Sequence, residues 1–124
     1  MIHLDTHVVI WLALRRSHRL SARARALIER DESQISPMVM LELEILFESG
    51  RIDRDAASLI ERLSGRIELA ISETPLPTIV DRARSFAWTR DPFDRLIVAH
   101  AMAEKARLIS ADATILDNFA GAVW

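Results

Sequence analysis

Four acidic residues stand where a carboxylate can do chemistry. Asp5 directly follows the apolar run Ile2-His3-Leu4, and Asp112 follows the segment Arg107 to Ser110. Glu42 lies inside MVMLELEIL, an otherwise almost wholly apolar stretch. Asp94 sits three residues after Asp91 in RDPFDRLIVAHA. Each has an ordinary structural reading. Asp91 is a good N-cap with Pro92 at the first helical position, and Asp94 at the third can return a hydrogen bond to the cap. Asp5 and Asp112 can cap the helices that follow them. Glu42 and Glu44 are about 200° apart around a helix, so one can face inward while the other faces solvent. Spacing alone does not say which. An inward glutamate needs a cation or hydrogen-bond partner, because an unpaired buried carboxylate is costly. If the four acids converge, they offer hard oxygen ligands. With no cysteine and no histidine pair at a ligand spacing, that set suits Mg²⁺ or Mn²⁺ rather than zinc. Such ions act on phosphate oxygens and activate water.

Convergence depends on the elements that carry the acids. Ile2 to Leu4 reads as a strand, His7 to Arg15 as a helix, and Ser21 as the cap of a second helix. Gln34 to Ser36 is extended and stopped by Pro37. A helix then runs to Gly50, a common C-terminal stop. Asp53 reads as the cap of a helix over Arg54 to Leu63, and Arg66 to Ile71 as a strand. Helices follow over Pro77 to Ala87 and Pro92 to Lys105. Arg107 to Ser110 is a strand, Thr114 to Phe119 a helical turn or short helix, and Ala122 to Trp124 an edge strand. Short strands separated by helices predict an α/β domain with a small, mainly parallel sheet flanked by helices. In such sheets ligands bind beyond the carboxyl ends of the strands, which is where Asp5 and Asp112 would lie.

The 124 residues suit one domain spanning 1–124. Half are apolar and 27% charged, the profile of a soluble globular protein rather than a disordered one. No apolar run is long enough to span a membrane, and the apolar N-terminus lacks the basic start of a signal peptide. With no cysteine, these features fit a cytoplasmic location. The net charge of -2 argues against a general nucleic-acid binder. Yet Lys105 is the only lysine, and Arg15, Arg16, Arg19, Arg23 and Arg25 crowd into one stretch. That stretch reads as a solvated face or as a phosphate- or partner-binding edge. The histidines and the tryptophans Trp11, Trp88 and Trp124 read as structural or surface residues.

Taken together, LDTHVVIW, ISPMVMLELEIL, RDPFDRLIVAHA and LISAD resemble the PIN-domain ribonucleases, specifically the VapC-like toxins of toxin–antitoxin systems. The resemblance covers nearly the whole chain. It implies a PIN-like fold and a metal-dependent endoribonuclease that hydrolyses RNA phosphodiester bonds with Mg²⁺ or Mn²⁺. It implies Asp5, Glu42, Asp94 and Asp112 as the catalytic, metal-holding acids, with Asp91 as a cap or supporting residue. Thr6 and Ser110 sit beside acids in similar positions; each reads as a donor to a carboxylate or metal water, or more simply as a local cap. A cognate antitoxin and a homodimer are implied as well. Arg15, Arg16 and Arg19 are then candidates for binding RNA or antitoxin.

Two other readings stay open. Asp5-Thr6 after a strand superficially suits an aspartyl nucleophile of a phosphohydrolase acting on small phosphorylated molecules, although no second aspartate follows two residues later. A binding module whose acids are purely structural is the other.

Overall fold

A computed structural model describes residues 1–124. Five short strands form one all-parallel sheet: β1 (Ile2–Leu4), β2 (Ser33–Ile35), β3 (Leu69–Ile71), β4 (Arg107–Ile109) and β5 (Ala122–Val123), in the order β3-β2-β1-β4-β5. Seven α-helices connect them: α1 (Thr6–Ala13), α2 (Ala22–Arg30), α3 (Pro37–Glu48), α4 (Ala56–Ser64), α5 (Leu76–Ala83), α6 (Pro92–Ala103) and α7 (Ala113–Asn118). A short 3₁₀ turn over Ser17–Arg19 precedes α2. Parallel strands need crossover connections, and the intervening helices supply them.

The chain winds outward from β1 through β2 to β3, then returns to the other side of β1 with β4 and β5. β1 and β4 therefore flank the point where the winding reverses, the position at which such sheets form a ligand crevice. Their register aligns Leu4 with Ile109, so the residues just beyond, Asp5 and Ser110, emerge side by side.

The central strand is buried throughout, which is why Ile2 and Leu4 are apolar. They join Ile35, Leu108 and Ile109 of the sheet and Val8, Val9, Val39, Leu43, Ile97 and Val98 of the helices in one core. His3 shares the burial and finds a partner: its Nε2 is 2.6 Å from Glu104 Oε2. Glu104 also accepts hydrogen bonds from the hydroxyls of Ser72 and Thr74. Burial alone would raise the Glu104 carboxyl, but these donors outweigh it and hold the group below its usual range.

Several expected boundaries move. α1 begins at Thr6 and ends at Ala13, because Arg15 adopts a left-handed conformation (φ 56°) that cannot continue the helix. The cap of α4 is Asp55, not Asp53: its carboxylate accepts the Ser58 N–H at 2.8 Å. Glu44 of α3 accepts the Ala56 N–H at 3.1 Å, so a contact between helices selects the register that two nearby aspartates left ambiguous. The β3 strand is confined to Leu69–Ile71, and α5 starts at Leu76 and stops at Ala83. No helix is long and apolar enough to cross a membrane.

Candidate active site

Asp5, Glu42, Asp91, Asp94 and Asp112 line a single cavity of about 590 Å³ beyond the ends of β1 and β4. They come from four different elements, and the local structure of each sets what its carboxylate can do.

Asp5 ends β1 and caps α1. One carboxylate oxygen accepts the Thr6 N–H at 2.8 Å and the other the Ser110 hydroxyl at 2.6 Å. Burial raises its pKa, partly offset by the hydrogen bonds from Ser110 and Thr6, while the charge of Asp112 adds to the rise. Thr6 is fully buried and donates its hydroxyl to Glu42 Oε1. A residue of the first turn of α1 therefore orients a carboxylate from the middle of α3. Ser110 likewise serves two acids, donating to Asp5 and accepting the Asp112 N–H at 3.1 Å. Thr6 and Ser110 thus touch carboxylates directly; the simpler cap reading does not describe Thr6, and describes Ser110 only in part.

Of the two glutamates on α3, Glu42 faces the cavity and Glu44 faces α4. Glu42 is half-buried, and its pKa is raised chiefly by burial, with Thr6 opposing and Asp5 and Asp91 adding to the rise.

Asp91 is the N-cap of α6 and accepts the N–H groups of Phe93 at 2.8 Å and Asp94 at 3.3 Å. Asp94 does not complete a reciprocal cap. The Asp91 N–H goes to Thr89 Oγ1 at 3.2 Å, and no protein donor reaches the Asp94 carboxylate. Burial, followed by the charges of Asp91, Asp5, Asp112 and Glu42, pushes its pKa up to about 7. Asp112 caps α7 through the Ile115 N–H at 2.9 Å and remains exposed at the rim.

The acids stand around the cavity rather than forming a closed cage: no three His, Asp or Glu side chains are near enough to make a ligand set by direct contact. The donor set nevertheless fits a hard divalent cation, which retains several waters and needs only one or two carboxylates directly. Mutual repulsion among the acids is the electrostatic counterpart of that fit.

The rest of the wall is different. His7, Ile10, Trp11, Arg16, Leu46, Arg51, Ile52 and Ala111 complete it. His7 is exposed two residues from Asp5, and Arg51 follows Gly50; neither was singled out as a site residue from the sequence. Trp11 packs against Trp124 with ring centroids 5.7 Å apart. The arginine-rich stretch divides. Arg16 enters the cavity, Arg19 lies 5.9 Å over the Trp11 ring, and Arg15 turns to a separate cleft with Arg62 and Arg66. Of the other histidines, His3 and His100 are buried away from the cavity, His100 with Nδ1 2.9 Å from Ser36 Oγ, and His18 is exposed.

The family model for the PIN domain matches residues 2–121. No curated protein matches the chain. Solved structures with the same fold include a toxin–antitoxin complex from Klebsiella pneumoniae, with TM-score 0.70 at 18% identity, covering 100% of this chain and 97% of that one. VapBC2 from Rickettsia felis, bound to a DNA fragment from their promoter, gives 0.67 at 19% identity over 94% and 92%. VapBC-1 from nontypeable Haemophilus influenzae gives 0.64 at 21% identity over 100% and 96%.

Proposed function

The chain belongs to the PIN domain family, and on that premise we propose that it is a metal-dependent endoribonuclease, the toxin of a toxin–antitoxin pair. The observation that carries the catalytic part is the Asp94 carboxylate. It is half-buried among four other acids, with no protein donor to satisfy it. A group so placed is costly unless a cation compensates it.

Asp5, Glu42, Asp94 and Asp112 would hold Mg²⁺ or Mn²⁺, directly or through water. When bound, the ion supplies the charge that acidifies a water molecule and offsets negative charge building on the phosphorus oxygens. The chain's own part is positional. Ser110 and the Thr6 N–H fix Asp5, the Thr6 hydroxyl fixes Glu42, and the cap at Asp91 sets the start of α6 and so the place of Asp94. Such supporting contacts hold ligands in the orientation a metal requires.

An aspartyl-nucleophile mechanism fits poorly. Both oxygens of Asp5 are engaged by internal donors, and the residue is only 7% exposed. A purely structural role for the acids explains Asp91 and Asp112, which cap helices, but not Asp94.

An antitoxin is proposed as the partner, in keeping with the toxin–antitoxin assemblies of similar fold, and the location proposed is cytoplasmic. A homodimer is proposed too, for which exposed Leu41 and Ile45 on α3 and Leu76 and Val80 on α5 offer apolar surface at helical spacing. The catalytic proposal is tested by incubating purified protein with RNA and, separately, with free nucleotides, each with Mn²⁺. Cleavage of RNA alone is expected. Hydrolysis of nucleotides without cleavage of RNA would move the function to small phosphorylated molecules.

A further inference from the structure

Two helices of the site, α1 and α3, end in the same turn. After α1, Arg15 takes the left-handed conformation (φ 56°). Its N–H donates to Leu12 O at 3.2 Å, and the Arg16 N–H donates to Trp11 O at 2.7 Å. After α3, Gly50 does the same (φ 75°), with Gly50 N–H to Phe47 O at 3.0 Å and Arg51 N–H to Leu46 O at 2.9 Å. This is a Schellman motif, in which the residue after the left-handed one commonly packs an apolar side chain back onto the helix. α6 obeys that rule. Lys105 is left-handed (φ 54°), and the next residue, Ala106, is buried. At α1 and α3 the equivalent residue is an arginine, and both arginines line the acidic cavity beside Trp11 and Leu46.

Neither guanidinium is used inside the protein. The ion pairs of the chain are His3–Glu104, Arg30–Asp31 and Arg84–Asp81. Guanidinium hydrogen bonds are made by Arg30, Arg66, Arg84, Arg90 and Arg95. Arg16 and Arg51 make neither, although five carboxylates share their cavity. Both line the cavity without pairing to any of its acids, with every donor free.

Resting on the ribonuclease reading above, we propose that Arg16 and Arg51 form an anchor for the backbone phosphates flanking the scissile bond of the RNA strand. A cation held by the acids would compensate the phosphate being cleaved. The neighbouring phosphates must enter the same acidic cavity, and unbalanced they would be repelled. Two forked guanidiniums in the same cavity, unpaired with its acids, supply the balance, with the bidentate geometry that phosphate oxygens accept. Both are carried on fixed turns of helices that also carry Thr6 and Glu42, so the anchor and the acids are positioned by the same elements.

The test is the affinity of a mixed-sequence single-stranded RNA oligonucleotide, measured with Mn²⁺ across a salt series. An Asp94→Asn background limits cleavage. Adding Arg16→Gln and Arg51→Gln should weaken binding at least tenfold at low salt. It should also reduce the slope of log affinity against log salt by about 1.4, at roughly 0.7 per phosphate contact on a single strand. The charge-matched pair Arg23→Gln and Arg25→Gln on α2 should leave both nearly unchanged. In the Asp94 wild-type protein, Arg16→Gln with Arg51→Gln should keep the rise in melting temperature given by Mn²⁺. Unchanged RNA affinity and slope would overturn the anchor, as would a loss confined to binding of a protein partner. If wild type cleaves RNA, and the Asp94→Asn protein binds it equally well with and without the two arginine substitutions, the anchor alone falls. If wild type neither cleaves nor binds RNA, the ribonuclease reading falls with it.

Discussion

The Asp91 carboxylate accepts the backbone N–H of Asp94, while the Asp94 carboxylate receives nothing in return. Two aspartates three residues apart thus have separate tasks. One begins the helix, and the other is carried by it into a cavity with Asp5, Glu42 and Asp112.

The first consequence is for stability. The Asp94 pKa is raised to about 7, so the native state holds a proton that the unfolded chain releases near its ordinary value of 3.8. Between those values the native state binds more protons, and stability falls as pH rises through the window. Above about 7 the cost is fully present. Asp94→Asn removes it, so in chelator the variant should melt higher than wild type at neutral pH, with the gap closing towards pH 4. Mn²⁺ should raise the melting temperature of wild type more than that of the variant, and ion at a hundred times its dissociation constant would contribute roughly 2.7 kcal/mol. A variant that melts lower than wild type in chelator would make Asp94 a structural residue.

Thr6→Val keeps the shape of the side chain but removes the hydroxyl that orients Glu42. Activity should fall about 10- to 100-fold, the usual cost of losing a supporting contact to a metal ligand. A circular dichroism spectrum like that of wild type would show that the fold persists. Ser110→Ala should act similarly through Asp5. Full activity in both variants would mean that these contacts do not position the acids.

On α3 the two glutamates should separate cleanly. Glu42→Gln should lose most ribonuclease activity. Glu44→Gln should retain it, with a stability loss of no more than about 1.5 kcal/mol from the weakened bond to the Ala56 N–H. The measurement is cleavage rate beside urea unfolding for each. An essential Glu44 would contradict the orientation of the helix.

Away from the site, Glu104→Gln should destabilise the protein by about 1–3 kcal/mol, because His3 and two hydroxyls lose a charged acceptor. The Glu104 carboxyl lies below its usual range, so its contribution is present above the unfolded-state pKa and lost as pH falls through the folded-state value. The difference in melting temperature between wild type and variant should therefore shrink in acid. A constant difference at all pH values would assign the effect to packing instead.

Much of this architecture was legible in the residue string. Ile2 to Leu4 and Arg107 to Ile109 are short apolar runs, and parallel pairing places whatever follows them at one sheet edge; that is why Asp5 and Asp112 could be brought together in advance. The orientation of α3 was not legible from spacing, because Glu42 and Glu44 are equally plausible inward residues until Thr6 and Ala56 choose between them. The cap of α4 is ambiguous in the sequence for a related reason: Asp53 and Asp55 have equal local chemistry, and a contact from α3 decides for Asp55. Arg51 carries no local signal of its place in the cavity, which depends on a turn at Gly50 and on where α3 points, both tertiary facts. The arginine-rich stretch looked uniform, yet a left-handed residue at Arg15 sends successive side chains to different faces.

The most direct measurement is cleavage of purified total RNA by wild type, Asp5→Asn, Asp94→Asn and Glu44→Gln, each with Mn²⁺ and with chelator, in preparations freed of contaminating nuclease. The expected result is Mn²⁺-dependent cleavage by wild type and Glu44→Gln, and loss of most cleavage by both aspartate variants although they remain folded. Cleavage that persists in chelator, or that survives in both aspartate variants, would contradict a divalent-ion site built on these acids.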